Sequence, residues 1–316
     1  MKSIREFCLT KKETINNDAI FIKEPVSDII DKINESKRRK IILSGNFDSG
    51  KRLTSMEYIN EKQENNELAL YFNSVLTSDY KEAMHQGKLE SYIEVKIALS
   101  LLSLIKEMRI SISPMILKMN LYNHIKKINV DLLRNYKCGD LVCPLLYTIK
   151  KSMGISNVEL ILNNIDGLSK EIQNKYKNYF DIFYKTILLI NDDSLYSDKS
   201  RHNELNEKGY DVIAVEYAKD YEVARTLIDS RIEYHNDKNS KEELLGILDM
   251  ISEKDFERFI DSTDGNIRYI LSTMKEFYLS DFSPLSMEAS NFIINKAEQC
   301  KGLKYRNLYP SKKLYL

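Results

Sequence analysis

The apolar run Ile41-Ile42-Leu43 leads into Gly45-Asn46-Phe47-Asp48-Ser49-Gly50-Lys51-Arg52. Two glycines five positions apart, followed by lysine after a strand-like run, form the pattern of a phosphate-binding loop. With only 10 glycines in 316 residues, chance rarely places two of them at this spacing before a lysine. The pattern demands a strand, a tight loop and a helix in immediate succession, which is the first unit of a layered α/β fold. Glycines let the loop curl with positive φ, so that successive N–H groups point inward as an anion nest. The helix expected over roughly residues 51–60 adds the positive end of its dipole. Lys51 would reach the β- and γ-phosphates as a point charge. Gly45, Asn46, Asp48, Ser49, Gly50, Lys51 and Arg52 are therefore the candidate nucleotide-contacting residues of the loop. One position departs from the pattern: Arg52 stands where Ser or Thr ordinarily offers a hydroxyl to Mg²⁺. Thr54 and Ser55 lie farther along the helix, on the wrong turn to replace it simply.

Four further apolar runs extend the unit: Leu68–Phe72 ending at Asn73, Val158–Leu162, Thr186–Ile190 and Val212–Tyr217. Short continuous apolar runs are what parallel strands covered on both faces require. Their alternation with helix-like stretches predicts an α/β fold with a parallel five-stranded sheet between helical layers. The interval from Tyr80 to Met153 reads as helical, with Ile93, Ile97, Leu101, Leu104, Ile105 and Met108 as one core-facing stripe. Pro114 and Pro144 punctuate it. After Lys219 the pattern is wholly helical, over Tyr221–Tyr234, Lys241–Ile251, Glu253–Ser262, Ile267–Leu279 and Ser286–Gln299. The expected division is an α/β domain over residues 1–219, a small helical lid over 220–300, and a basic, tyrosine-rich tail over 301–316.

Lys and Arg number 47 and so do Asp and Glu, a balance that announces no polyanion-binding surface. The run Lys37-Arg38-Arg39-Lys40 and the basic tail keep nucleic-acid contact open, although such a run is more often a solvated helix end. No apolar stretch approaches a membrane span and no signal peptide opens the chain, so neither membrane nor export is expected. Cys8, Cys138, Cys143 and Cys300 are scattered, which fits a reduced cytoplasmic compartment and forms no zinc pattern. His85, His124, His202 and His235 join no ligand cluster, and no metal site is expected.

A working nucleotide hydrolase needs a second motif, an apolar strand ending in Asp and usually followed by Glu. Here Val158-Glu159-Leu160-Ile161-Leu162 ends in Asn163-Asn164, then Ile165-Asp166. An amide oxygen is a weak neutral ligand, and an amide cannot act as a general base. Asp166 arrives three residues late for the first carboxylate and two late for the second.

With these residues in view, the order of elements over roughly residues 20–280 resembles the AAA+ superfamily of P-loop ATPases, particularly its origin-recognition and STAND-like branches. The resemblance implies a three-layer P-loop NTPase core followed by an all-helical lid. It implies that Asn191, directly after Thr186–Ile190, is the first sensor of the γ-phosphate, and that Arg268 is the second, on the lid. Arg201 falls where many such proteins carry an arginine finger for a neighbouring subunit. Each has a plainer alternative: Asn191 as a turn cap with Asp192 and Asp193, Arg201 as a solvated loop charge, Arg268 paired with Asp261 or Asp264.

Arg52, Asn163 and Asn164 depart together from hydrolysis chemistry, while Gly45, Gly50 and Lys51 keep the phosphate cradle. The expectation is a catalytically degenerate nucleotide-binding protein, leaning away from an enzyme. It would take ATP or ADP with weak or no Mg²⁺, as a nucleotide-gated or nucleotide-independent scaffold for protein partners or further copies of itself. By analogy alone, the setting would be DNA replication, mobile elements or defence. A slow ATPase that recruits Asn163 or Asp166, and a DNA-binding loader, are the alternatives.

Overall fold

The computed structural model describes residues 23–46, 48–65, 67–74, 77–107, 121–124, 128–192, 194–234, 251–279 and 286–304. Helix α1 (Lys23–Glu35) precedes β1 (Lys40–Ser44), and α2 (Lys51–Glu64) follows it. Next come β2 (Leu68–Asn73), α3 (Ser78–His85), α4 (Leu89–Glu107), α5 (Val142–Met153) and β3 (Val158–Asn163). The sheet region closes with α6 (Lys170–Lys177), β4 (Thr186–Ile190), α7 (Ser194–Ser197), α8 (Lys199–Glu207) and β5 (Tyr210–Ala214). Helices α9 (Tyr221–Tyr234), α10 (Glu253–Thr263), α11 (Ile267–Leu279) and α12 (Ser286–Lys304) complete the described chain.

The five strands form one all-parallel sheet in the order β2-β3-β4-β1-β5. Side chains alternate between its faces, as the pleat requires. Ile41, Leu43, Ile161, Ile187 and Leu189 pack with Ile29, Ile30 and Ile33 of α1 and Tyr58 of α2. Ile42, Leu160, Leu162, Leu188 and Ile190 pack with α3, α4, α5, α6 and Leu205 of α8 on the other side. The fold is thus a three-layer α/β arrangement with burial on both sheet faces, which explains the unbroken apolar runs. A separate core unites Ala224 and Ile228 of α9 with Phe256, Phe259, Ile270, Met274, Phe277, Ala289 and Ile293.

Strands β1 and β4 are neighbours, yet the helices that follow them pack on opposite faces of the sheet. In open α/β sheets such a switch point opens a crevice beyond the carboxyl ends of the strands. The loop from Gly45 to Gly50 lies there.

Several expectations shift. The fifth strand runs from Tyr210 to Ala214 instead of from Val212 to Tyr217, because Gly209, at φ 86°, turns the chain out of α8 early. Residues 217–219 then form a 3₁₀ turn. The interval 80–153 is not continuously helical, since residues 128–141 are irregular before α5. In the α4 stripe Ile93, Ile97, Leu101 and Ile105 are all buried. Met108, Pro114, residues 241–250 of one expected helix, His235, Cys8, Cys300 (for its side chain) and the tail beyond Lys304 lie outside the described residues. Cys138 and Cys143 carry free thiols, and no helix among the described residues is long and apolar enough to cross a membrane.

The basic run has a structural occupation. Arg39 donates to the carbonyls of Phe183 and Tyr184 at 2.6 and 2.8 Å, and Arg38 to that of Asn206 at 2.8 Å. Lys40 pairs with Asp181 at 3.3 Å. These side chains stitch turns beneath the sheet, at the end opposite the loop.

Candidate functional site

The loop is built as its glycines demand. Gly50 takes φ 100° and caps α2, and Asp48 also holds positive φ at 59°. At Gly45 an added Cβ would meet the Val215 carbonyl oxygen at 2.5 Å and Ser49 Oγ at 2.7 Å, so the backbone itself fills that space. Lys51 is buried and folded back on its own loop. Its Nζ donates to Gly45 O at 2.8 Å, Asn46 O at 2.5 Å and Ser49 Oγ at 3.2 Å. The ammonium is therefore held within the loop by two of the loop's own carbonyls and a hydroxyl.

Arg52 does not plug the cradle. It is exposed, and its guanidinium lies over the Tyr71 ring of β2, 5.9 Å from the centroid. The Tyr71 hydroxyl in turn accepts from Asn163 Nδ2 at 2.7 Å. Burial pushes the Tyr71 hydroxyl above its ordinary pKa, against the opposing pull of Arg52 and Asn163. Arg52, Tyr71 and Asn163 thus form one polar chain along the α2 face, a chemistry of stacking and neutral hydrogen bonding. Asn164, in left-handed conformation at φ 63°, gives its Nδ2 to Asn73 Oδ1 at 2.7 Å. Thr54 and Ser55 spend their hydroxyls on Gly50 O and Lys51 O within the helix. The residues at the usual Mg²⁺ positions do not fit that ion: a cation, two amides and back-bonded hydroxyls supply no ionised oxygen.

The sheet brings Asn191 and Asp166 together. Asp166 Oδ2 accepts from Asn191 N at 3.0 Å and from Asn191 Nδ2 at 3.3 Å. Asp166 is only 3 % exposed, and its Oδ1 is buried without a hydrogen-bond partner. Next along the chain, the Asp192 carbonyl accepts from Ser44 Oγ, which ties the end of β4 to the end of β1. Arg201 pairs with the Asp192 carboxylate at 3.1 Å, with 41 % of its side chain exposed. Its guanidinium is thus held in this chain's own β4 loop.

Arg268 reaches the loop from α11, in the helical region after the sheet. Its guanidinium pairs with Asp48 at 3.2 Å, and Ile267 N, the first amide of α11, donates to Asp48 O at 3.1 Å. Asn46 Nδ2 donates to Asp264 O at 3.0 Å and to the Asp264 carboxylate. Asp264 also pairs with Lys219 at 3.1 Å, and Gly265, at φ 74°, leaves room for that lysine, whose Cγ an added Cβ would meet at 3.0 Å. Burial holds the Asp48 carboxyl above its usual pKa, although Arg268 and Lys51 pull the other way.

The structure therefore gathers Gly45, Asn46, Asp48, Ser49, Gly50, Lys51 and Arg268 into one cluster, with Asn191 beside it through Asp192 and Ser44. Arg52, Asn163 and Asn164 form the flank toward β2. Sequence reasoning missed Tyr71, Asp264 and Lys219 as parts of the site. A tyrosine amid an aliphatic strand was the available sign of the first. The other two carry no sequence signal, because only the tertiary packing of the helical region against the sheet's end brings Lys219 and Asp264 together beside the loop. A cleft of about 530 Å³ lined by Glu67, Met153, Gly154, Ile155, Ser156 and Asn157 opens at the amino-terminal ends of β2 and β3. It is remote from the loop, and its one acid, Glu67, is paired with Lys62. Comparison with protein-family models and with curated proteins gave no match.

Proposed function

We propose that this chain is a degenerate AAA+ or STAND-like P-loop protein, a nucleotide-gated switch that binds ATP or ADP with little or no hydrolysis. The observation that carries the reading is the junction of loop and lid: the phosphate-loop pattern and the start of α11 meet through Asp48 and Asn46. A diphosphate entering the nest of loop amides would draw Lys51 off its carbonyls and meet Arg268 from the lid. Occupancy would then bias the angle between sheet and lid by as much as the nucleotide's affinity differs between the two arrangements. Partners, other proteins or further copies of this chain, would read that angle. The usual carboxylates are amides here, and a missing general base alone slows a reaction by about 10²–10⁴-fold.

Equilibrium ATP binding to the purified chain, with and without Mg²⁺, tests this beside Lys51→Ala. Binding that ignores Mg²⁺ and vanishes in the variant is the expected result. No binding at millimolar ATP overturns the reading.

Asp166 favours a second reading, a slow ATPase in which this acid stands in for the lost carboxylates. Its buried oxygen without a partner supports that role, while its bonds to Asn191 tie the other oxygen down. Steady hydrolysis that both Lys51→Ala and Asp166→Asn abolish would select it over the switch.

A further inference from the structure

We propose that Asp48 and Asp264 are built-in competitors of the nucleotide, acids of this chain that occupy the site's cations until phosphate displaces them. The inference rests on the nucleotide reading above and concerns what regulates that site.

Two helix amino-termini converge on the loop: α2 begins at Lys51, and α11 begins at Ile267, whose amide donates to Asp48 O at 3.1 Å. Both present positive dipole ends to the same few ångströms of backbone. Lys51, Lys219 and Arg268 add three side-chain cations. An anion site made only of these groups would be strongly attractive to phosphate. Instead, Asp48 stands within the loop and takes Arg268 at 3.2 Å, and Asp264 takes the Asn46 amide and shares Lys219, at 3.1 Å, with Glu216 at 2.8 Å.

The backbone alone does not call for these carboxylates. Asp48 and Asp264 have φ of 59° and 54°, a left-handed conformation that Gly and Asn adopt at least as readily. Either substitute would serve the turn without adding charge. What the carboxylates add is an internal anion on each side of the junction, one paired with Arg268 and one with Lys219, which ties the helical region to the loop. Burial keeps Asp48 incompletely compensated, as its raised pKa records.

Phosphate entry would reverse these pairings. A polyphosphate that takes Lys51 and Arg268 removes the cation paired with the Asp48 carboxylate and repels that carboxylate, so the Arg268–Asp48 pair breaks. Nucleotide would thus replace the Arg268–Asp48 pair with a phosphate shared by Lys51 and Arg268, so that the chain's own acid holds this junction only in the nucleotide-free form.

Asp48→Asn and Asp264→Asn test this, because asparagine keeps the shape and tolerates the left-handed backbone. ATP titration of the full-length chain by calorimetry, with and without Mg²⁺, should show Asp48→Asn binding about tenfold tighter or more, and Asp264→Asn a few-fold tighter. Both gains should be independent of Mg²⁺. If Asp48→Asn does not fold, Asp264→Asn decides alone. If the unaltered chain binds ATP and no folded variant binds it tighter, the competitor inference falls while the nucleotide reading stands. If Asp48→Asn weakens binding only with Mg²⁺ present, Asp48 is a metal ligand and the inference is overturned. If neither the unaltered chain nor the folded variants bind millimolar ATP, the nucleotide reading falls and takes this one with it.

Discussion

Glu94, deep in the core and fully buried, offers the sharpest test of how the sheet's large helical layer is held. Its carboxylate accepts from Leu141 N at 2.6 Å and Val142 N at 2.8 Å through one oxygen. The other accepts from Gly139 N at 3.0 Å and Tyr179 Oη at 2.6 Å. The two amides at Leu141 and Val142 begin α5, which has no side-chain cap of its own. A carboxylate from α4 therefore does the capping, at the positive end of the α5 dipole. In Glu94→Gln the remaining oxygen can keep the α5 amides, and the Tyr179 hydroxyl can turn to accept from the new amide. Only the Gly139 N–H is then orphaned, at about 1–3 kcal/mol, with loss of charge assistance at the other bonds adding about 1–2 kcal/mol. The variant should lose about 2–5 kcal/mol, a large share of a typical total of about 5–15 kcal/mol. Glu94→Leu orphans all four donors and should not fold, whereas Tyr179→Phe removes one donor and should lose about 1–2 kcal/mol. Urea unfolding followed by circular dichroism measures each. With a slope of about 2 kcal/mol per molar, Glu94→Gln should lower the midpoint by roughly 1–2.5 M. A loss below about 1 kcal/mol would refute the four-donor account of this helix start.

Two other regions make predictions of their own. Lys96 lies over the rings of Tyr80, Phe72 and Tyr92, at 4.4, 5.5 and 5.9 Å, and burial lowers its pKa to about 8. At pH 8 roughly half of its amine would be neutral, against well under 1 % of an ordinary lysine, so a brief acylating pulse read by mass spectrometry should label Lys96 ahead of Lys81 and Lys88. The advantage should shrink as pH rises toward 10 and the others deprotonate; equal labelling at pH 8 would mean that the cage's attraction for the ammonium outweighs its desolvation. Gly45→Ala should lower stability by about 1–3 kcal/mol and abolish nucleotide binding, because its Cβ would lie 2.5 Å from a backbone oxygen that cannot swing aside. An unchanged melting temperature would show that the loop is looser than its contacts imply.

Much of this fold can be read locally. Thr186–Ile190 is a strand with the boundaries read from its sequence, and β1 extends the run Ile41–Leu43 by one residue at each end, because a central parallel strand buries both faces and needs no alternation. The edge strand β5 is the exception: Tyr210 and Asp211 begin it, and neither belongs to an apolar run. In the loop, Gly45 and Gly50 are legible as glycines because close approach at one and positive φ at the other dictate that residue type. The partners of Arg268 and Arg201 are not, because an ion pair depends on which charges the tertiary fold brings within reach. Arg268 reaches Asp48, 220 positions away by number, although Asp261 and Asp264 were nearer in the chain. Glu94 was hidden for a similar reason, since it lies on the apolar side of α4 and its donors come from a loop more than 40 residues on.

The Lys219–Asp264 pair joins the exit from the sheet to the end of α10 that touches the loop. Lys219 ends the 3₁₀ turn where the chain leaves the sheet for the lid, and Asp264 touches the loop through Asn46. If these helices turn as the switch reading requires, pivot and clasp are one knot of side chains, and the helices beyond would act on a very short inner arm. Helix α10 runs into Asp264 from Thr263, and α12, about 28 Å long at 1.5 Å per residue, packs along it. Under the switch reading, a small displacement at the far end of the described α12 would be concentrated into torque on a few hydrogen bonds at the loop.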